Sequence, residues 1–230
     1  MALIRPGGLV GQISGRVGGD VFSHNRYGQY VRAGSNPVTS TTTHALAAKA
    51  RMTEVTQAWQ GLTTAQKLAW YGWAVTNPVL NRLGQSITLT GHAAYVGLNA
   101  RLLNVPVAKI TDPPVEAAPI PLATLTLTAD IGAGTTEIAF TATPLAAADG
   151  LYIKACVLDS AGINFVENYL RLIAITAAAQ ATGYDYLTVI EARFGTLAVG
   201  QIVVVEVGVL DRANGQLSAL LRDQATVVST

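Results

Sequence analysis

From residue 44 to residue 106 the apolar positions return every three or four places, the spacing of helices that each bury one stripe. "HALAAKARMTEVTQAWQGL" puts Ala48, Met52, Val55 and Trp59 on one such stripe, and Gly61 ends it. "LTTAQKLAWYGWAVTN" starts a second helix, with Thr63 or Thr64 as N-cap. Gln66 completes a capping box if Thr63 holds the cap. Asn77-Pro78 stops it, because the residue before a proline is pushed out of helical geometry. "TGHAAYVGLNARLLNV" supplies a third helix, with Ala94, Leu98, Arg101 and Leu102 on part of one face. Trp59, Trp70, Trp73 and Tyr95 are expected to meet as a small aromatic core.

After "VAKITDPP" (107–114), read as a linker, the period changes from helical to alternating. "TLTLTAD", "TEIAFTA", "GLYIKACVLD", "YDYLTVIEA", "QIVVVEVGVLD" and "LRDQATVVS" each read as a strand. "LRLIAITAAAQATG" reads as a strand running into a loop. Turn residues separate them at Ala148-Asp149-Gly150, Ser160-Ala161-Gly162 and Asn214-Gly215. Short strands at this spacing predict an antiparallel β-sandwich of immunoglobulin or fibronectin type over 115–230.

Residues 1–43 follow neither period. Glycines at 7, 8, 11, 15, 18, 19, 28 and 34 oppose helix, and "SNPVTSTTT" closes the stretch as a polar connection. "DVFSHNR" and "QYVRA" alternate as two strands of a hairpin, with Arg26-Tyr27-Gly28 near its turn. Four arginines (Arg5, Arg16, Arg26 and Arg32) accompany one acid, Asp20, so this arm is basic. With so few apolar side chains, a hairpin of this kind orders against something else: its own β domain or a neighbouring subunit. Phe22, Tyr27 and Tyr30 are the expected apolar anchors of that contact. Arg16, Arg26 and Arg32 are expected to meet acidic or carbonyl-rich surface, with Gly28 supplying a turn conformation that a β-carbon resists.

Composition sharpens the choice of function class. Half the residues are hydrophobic and 13% are charged, against about 25% charged in an average globular domain. That balance fits either an Ala/Val/Thr-rich surface or, the favoured reading, surface covered by other subunits. A net charge of +1 argues against wholesale nucleic-acid binding. Cys156 is the one cysteine, so there is no disulfide framework, and its run "LYIKACVL" makes it a buried small hydrophobe. "MALIRPGGLVGQ" lacks the apolar region of a signal peptide, and no apolar stretch reaches about 18 residues. The chain is expected to be made in the cytoplasm and to have no membrane partner.

Catalytic patterns fail one by one. "GLVGQISGRVGGD" lacks the Lys-Ser/Thr ending of a phosphate loop and the strand–helix context of a dinucleotide site, and Ser14 is not in a GxSxG elbow. His24, His44 and His92 are scattered without cysteine partners, and "DSAGIN" from Asp159 lacks calcium-loop spacing. A helix-turn-helix would have only Asn99 and Arg101 to offer DNA bases. No enzyme, metal or cofactor is expected.

"ISGRVGGDVFSHNRYGQYVRAGSNPVTS" (13–40) resembles the opening of a poorly characterised family of tailed-phage and prophage proteins, with its I-S-G-x-x-G-G-x-V-F-x-x-x-R-x-G-x-Y-V-R pattern. "LTTAQKLAWYGWA" and "LTGHAAYVGLN" are similar to the helical segments that follow in that family, so the likeness covers about residues 8–105. The resemblance implies a virion structural protein whose partners are itself and capsid or tail subunits, and whose place is the particle. The expectation is an α+β chain: extended arm (1–43), three-helix domain (44–106), linker (107–114) and β-sandwich (115–230). It would act as a head decoration or minor capsid protein. Alternatives are a tail, collar or fibre-attachment protein, or, in another class, a glycan-binding or hydrolytic accessory module. The last needs clustered aromatic rings and paired carboxylates beside Tyr152, Tyr169, Tyr184 and Tyr186.

Overall fold

Helices and antiparallel sheets alternate along the chain in an α+β arrangement. The structure, a computed structural model, describes all residues except 1, 4–6, 9–10, 26–27, 36–40, 81–83, 106, 142–144, 161 and 164. The chain divides into two compact units, residues 1–47 and 48–230.

In the first unit, strands β1 (Ala2–Leu3), β2 (Gly15–Val17), β3 (Asp20–Asn25) and β4 (Gly28–Ala33) form one antiparallel sheet in the order β1-β4-β3-β2. The expected hairpin is its centre, β3 against β4, but the hairpin does not stand alone. Gly18-Gly19 turns the chain so that Gly15–Val17 adds to one side, and Gly18 takes a φ of +57° to do it. Gly34 N donates to Gly19 O at 2.6 Å and closes the same corner. Sheet hydrogen bonds thus satisfy backbone groups on both sides of the hairpin. Among the residues of this unit whose side chains are described, which leaves out those of 2, 3 and 25, no apolar side chain is buried; the buried side chain is that of Gln29.

The second unit opens with most of α1 (Thr43–Gln60), then α2 (Thr64–Thr76), the short pair β5 (Val79–Leu80) and β6 (Ser86–Ile87), and α3 (Gly91–Leu102). The capping box at Thr63 forms as the sequence predicts: its side chain accepts from Gln66 N while Gln66 Oε1 accepts from Thr63 N. Thr90 caps α3 by accepting from Ala93 N at 3.2 Å. The stripe expected on α1 is used only in part. Val55 is fully buried and Trp59 half-buried, whereas Met52 is 47% exposed. The first turns of α1 carry Leu46, itself 51% exposed, with alanines, Lys49 and Arg51.

The aromatic core does assemble. Trp70 meets Tyr95 at 5.3 Å between centroids and 89° between planes, Trp73 lies 5.9 Å from Trp70, and Trp59 lies 5.2 Å from Tyr95. Close approach of α3 to α2 depends on Gly91: a β-carbon there would lie 2.7 Å from Tyr71 N. Side chains also stitch residues 107–112 to these helices. Asn99, itself buried, accepts from Ile110 N at 2.8 Å and donates to Ile110 O at 3.2 Å, imitating a strand neighbour. Trp70 Nε1 donates to Thr111 O at 2.8 Å, and Lys109 pairs with Glu54.

Beyond them come β7 (Thr124–Leu127), β8 (Glu137–Thr141), β9 (Asp149–Leu158), β10 (Arg171–Ile175), β11 (Tyr184–Asp185), α4 (Leu187–Phe194), β12 (Ile202–Asp211) and β13 (Leu221–Thr226). They make a three-stranded sheet, β11-β8-β7, and a four-stranded one, β10-β9-β12-β13. Both sheets supply one apolar core: Ile138 and Phe140 from β8, Ile153 from β9 and Val203, Val205 and Val207 from β12. Strand β8 alternates exposed and buried without exception, as half-buried strands do. Strands β9 and β12 are covered on both faces. Cys156 and Val204 point away from the main core into a second cluster with Val166 and Leu170. Burial there raises the Cys156 thiol above its usual pKa.

"YDYLTVIEA" is the clear correction. It forms only the two-residue β11 before turning into α4. Tyr186 and Ile190, four apart and both fully buried, share the helical face that meets the core. Asp185 Oδ1 accepts from Leu187 N at 3.0 Å, and Gly195 ends the helix at a φ of +91°. Core contact through Tyr186, whose hydroxyl donates to Thr128 O at 2.7 Å, overrides the β preference of Thr188, Val189 and Ile190.

Candidate assembly face of the N-terminal sheet

The pleat sorts the expected contact residues onto two faces. Arg16 stands opposite Val21, and Val21 opposite Arg32, so the three form one row across β2, β3 and β4. Tyr30, two residues before Arg32 on β4, lies on the same face, opposite Ser23. Phe22 pairs with Val31 and Gly15 on the other face, which also carries His24, Gln29 and Asp20. The sheet therefore separates Phe22 from Tyr30 and brings Tyr30 together with Arg16 and Arg32. Arg26 and Tyr27 lie outside the described residues.

The electrostatics of the first face are simple. Asp20, an acid of the unit, belongs to the opposite face, and among the described residues no carboxylate lies within ion-pair distance of Arg16 or Arg32. Arg16 Nε donates to Gly18 O at 3.1 Å, which holds the guanidinium at the β2–β3 turn. Arg32 is exposed, whereas Tyr30 and Val21 are half-buried. A row of two cations around a valine, with a tyrosine beside it, has the make-up of a protein contact. Gly28 opens β4 at a φ of +119°, a conformation that a β-carbon disfavours. Val21 was missed by the sequence reading because its importance comes from register, which a single strand's pattern does not reveal.

On the other face Gln29 Nε2 donates to Gly11 O at 3.1 Å, while its buried Oε1 has no partner among the described residues.

Elsewhere, α2 presents Leu68, Tyr71 and Val75 to solvent at 65%, 49% and 67% exposure, a stripe at helical spacing opposite the buried Trp70 and Ala74. Leu80, just after it, is 72% exposed. Together they make an exposed apolar stripe on this helix.

Two carboxylate pairs face each other across strands, Asp149 with Asp211 and Glu137 with Asp185. In each pair one member is committed to the backbone. Asp211 accepts from Ala213 N and Asn214 Nδ2, and Asp185 accepts from Thr136 Oγ1 and Leu187 N. Burial, and then the Asp211 charge, raise the pKa of Asp149. Among the described residues no three of His, Cys, Asp and Glu converge on a metal-sized space, and no helix is long and apolar enough to cross a membrane. Asn99, offered to a DNA base by the sequence, is fully buried and bonded to Tyr95 O and Ile110 O.

Comparison of the chain with protein-family models, with curated proteins and with solved structures finds no match.

Proposed function

We propose that the chain is a non-enzymatic structural subunit of a tailed-phage particle, set on the head as a decoration or minor capsid protein and held there by its N-terminal sheet. One observation carries the reading. The first unit pairs four strands, yet among the side chains described in β2, β3 and β4 no apolar one is buried, and Arg16, Arg32, Tyr30 and Val21 share one face. A sheet of this size needs a second layer for stability, and a neighbouring subunit supplies it. The exposed stripe on α2 and the low charge content suit a chain that works among other subunits.

In the same reading residues 115–230 are a sandwich of the immunoglobulin and fibronectin kind. What supports this is the strand order. Taken in chain order as A, B, C, C′, E, F and G, strands β7 to β13 give sheets A-B-E and C′-C-F-G. That order fits a sandwich of the fibronectin kind, with α4 between β11 and β12.

Trypsin tests the attachment. Cleavage after Arg16 and Arg32 in the free protein, and protection of both bonds in purified particles, is the expected result. Equal cleavage in both states contradicts attachment through this sheet.

A further inference from the structure

The outer face of α2 leaves apolar side chains open to solvent. Leu68, Tyr71 and Val75 stand there at helical spacing, and Leu80 follows them. Across Thr64–Leu80 no exposed position carries a charge. Lys67, the one charged residue of that stretch, is partly buried and donates to Gln60 O at 3.3 Å. Surfaces that stay in water seldom keep a helix face both apolar and neutral. Gly72 adds a second observation on the same face. It is exposed in the middle of α2, and a β-carbon there would meet nothing within 4 Å. Its backbone is ordinary helix, which any residue but proline adopts. Neither packing within the chain nor its backbone therefore calls for glycine, and glycine weakens a helix interior. Leu68, Gly72 and Val75 are spaced i, i+4 and i+7, so the missing side chain makes a gap between two bulky ones. Such a gap lets another helix approach closely.

We propose that this face pairs with the same face of a second copy of the chain, α2 against α2 across a twofold axis, with the two Gly72 positions at the closest approach. Neutrality selects the partner. A protein of different sequence is picked out by complementary charge, and this face offers none. A twofold contact sets each residue near its own kind and needs only that no charge repels. A membrane surface is the poorer match, because helices that lie in the lipid interface carry Lys and Arg beside their apolar stripe. Area agrees with a second copy. The open parts of α2 and Leu80 amount to roughly 600 Å² per copy, so pairing buries about 1,200 Å², the lower end of stable interfaces. A contact of that size holds at micromolar concentration, so the pair forms and separates as concentration changes. The pairing stands apart from the N-terminal sheet and from the particle reading.

Sedimentation velocity of the full-length protein, from about 1 to about 300 μM, tests the pairing. The expected result is a rise from the mass of one chain to that of two, with a plateau there. Leu68→Glu and Val75→Lys alter exposed residues and set like charges across the axis. Each is expected to raise the dissociation constant about tenfold or more, while circular dichroism and the melting temperature at low concentration stay those of the wild type. Gly72→Leu separates a built contact from a merely sticky surface. It adds apolar area and helix propensity, yet is expected to weaken pairing about tenfold, because the new side chain holds the helices apart. Tighter association of Gly72→Leu overturns the proposal. So does a wild-type monomer throughout the range, which leaves the face to a different protein. A dimer that neither Leu68→Glu nor Val75→Lys weakens also overturns it, since that dimer uses another face. Arg16 and Arg32 are untouched in these variants, so every outcome here is separate from the trypsin test of attachment.

Discussion

Replacing Trp70 by alanine tests how the helical part of the second unit is held together. The indole is fully buried, packs edge-on against Tyr95 at 5.3 Å and Trp73 at 5.9 Å, and donates to Thr111 O at 2.8 Å. Truncating a buried aromatic ring costs about 3–5 kcal/mol through lost burial and the cavity left behind. The hydrogen bond adds little to that, because Thr111 is exposed and water can replace the indole. Two companions fix the interpretation. Trp70→Phe keeps most of the packing and is expected to cost about 1–2 kcal/mol, chiefly the smaller ring and the missing donor. Trp73→Ala removes a half-buried ring and should cost less than Trp70→Ala. The assay is urea unfolding followed by far-ultraviolet circular dichroism, with the denaturant slope checked for constancy among variants. A loss below about 1 kcal/mol for Trp70→Ala, or a larger loss for Trp73→Ala, refutes the reasoning that places Trp70 at the centre of this cluster.

Gly91→Ala drives a β-carbon to within 2.7 Å of Tyr71 N, which is backbone and cannot rotate away. Thermal or urea unfolding should show a loss of about 1–3 kcal/mol, and wild-type stability would mean that α2 and α3 do not approach so closely. Asp130 accepts from Thr230 Oγ1, from Ala133 N, from Thr230 N and from Gly132 N, and these bonds hold its pKa at about 2 rather than 3.8. Because the folded value is the lower one, the stability it contributes is complete above about pH 4 and is lost as pH falls toward about 2. The stability gap between wild type and Asp130→Asn should therefore be steady at neutral pH and close across that acidic window; a gap independent of pH contradicts the bonding.

Legibility in the sequence followed the range of the interactions involved. Thr63 and Gln66 sit three residues apart and make a local contact, so the capping box could be read directly. The aromatic cluster could be read from helical spacing, since Trp70 and Ala74 share the buried face of one helix. Long-range contacts were harder. Met52 has the right spacing but remains 47% exposed, because spacing within one helix does not say which part of it meets a neighbour. Helix α4 was read as strand because Thr188, Val189 and Ile190 favour extended backbone, although Asp185 before it and Gly195 after it are helix-boundary residues. At the proposed assembly face the residue types were legible and their grouping was not. Pairing of Arg16 with Val21 and Val21 with Arg32 depends on β2 joining the hairpin, which no alternation within one strand announces.

The central claim is attachment through the N-terminal sheet, and incorporation of a truncated chain tests it most directly. Removing residues 1–40 deletes all four strands of that sheet and leaves the core of residues 48–230 intact. Quantitative mass spectrometry would count full-length and truncated chains in purified phage particles, with circular dichroism confirming that the truncated protein is folded. The account predicts a folded protein that is nearly absent from particles. Normal occupancy by the truncated chain would contradict it and move attachment to the exposed face of α2 or to the β region.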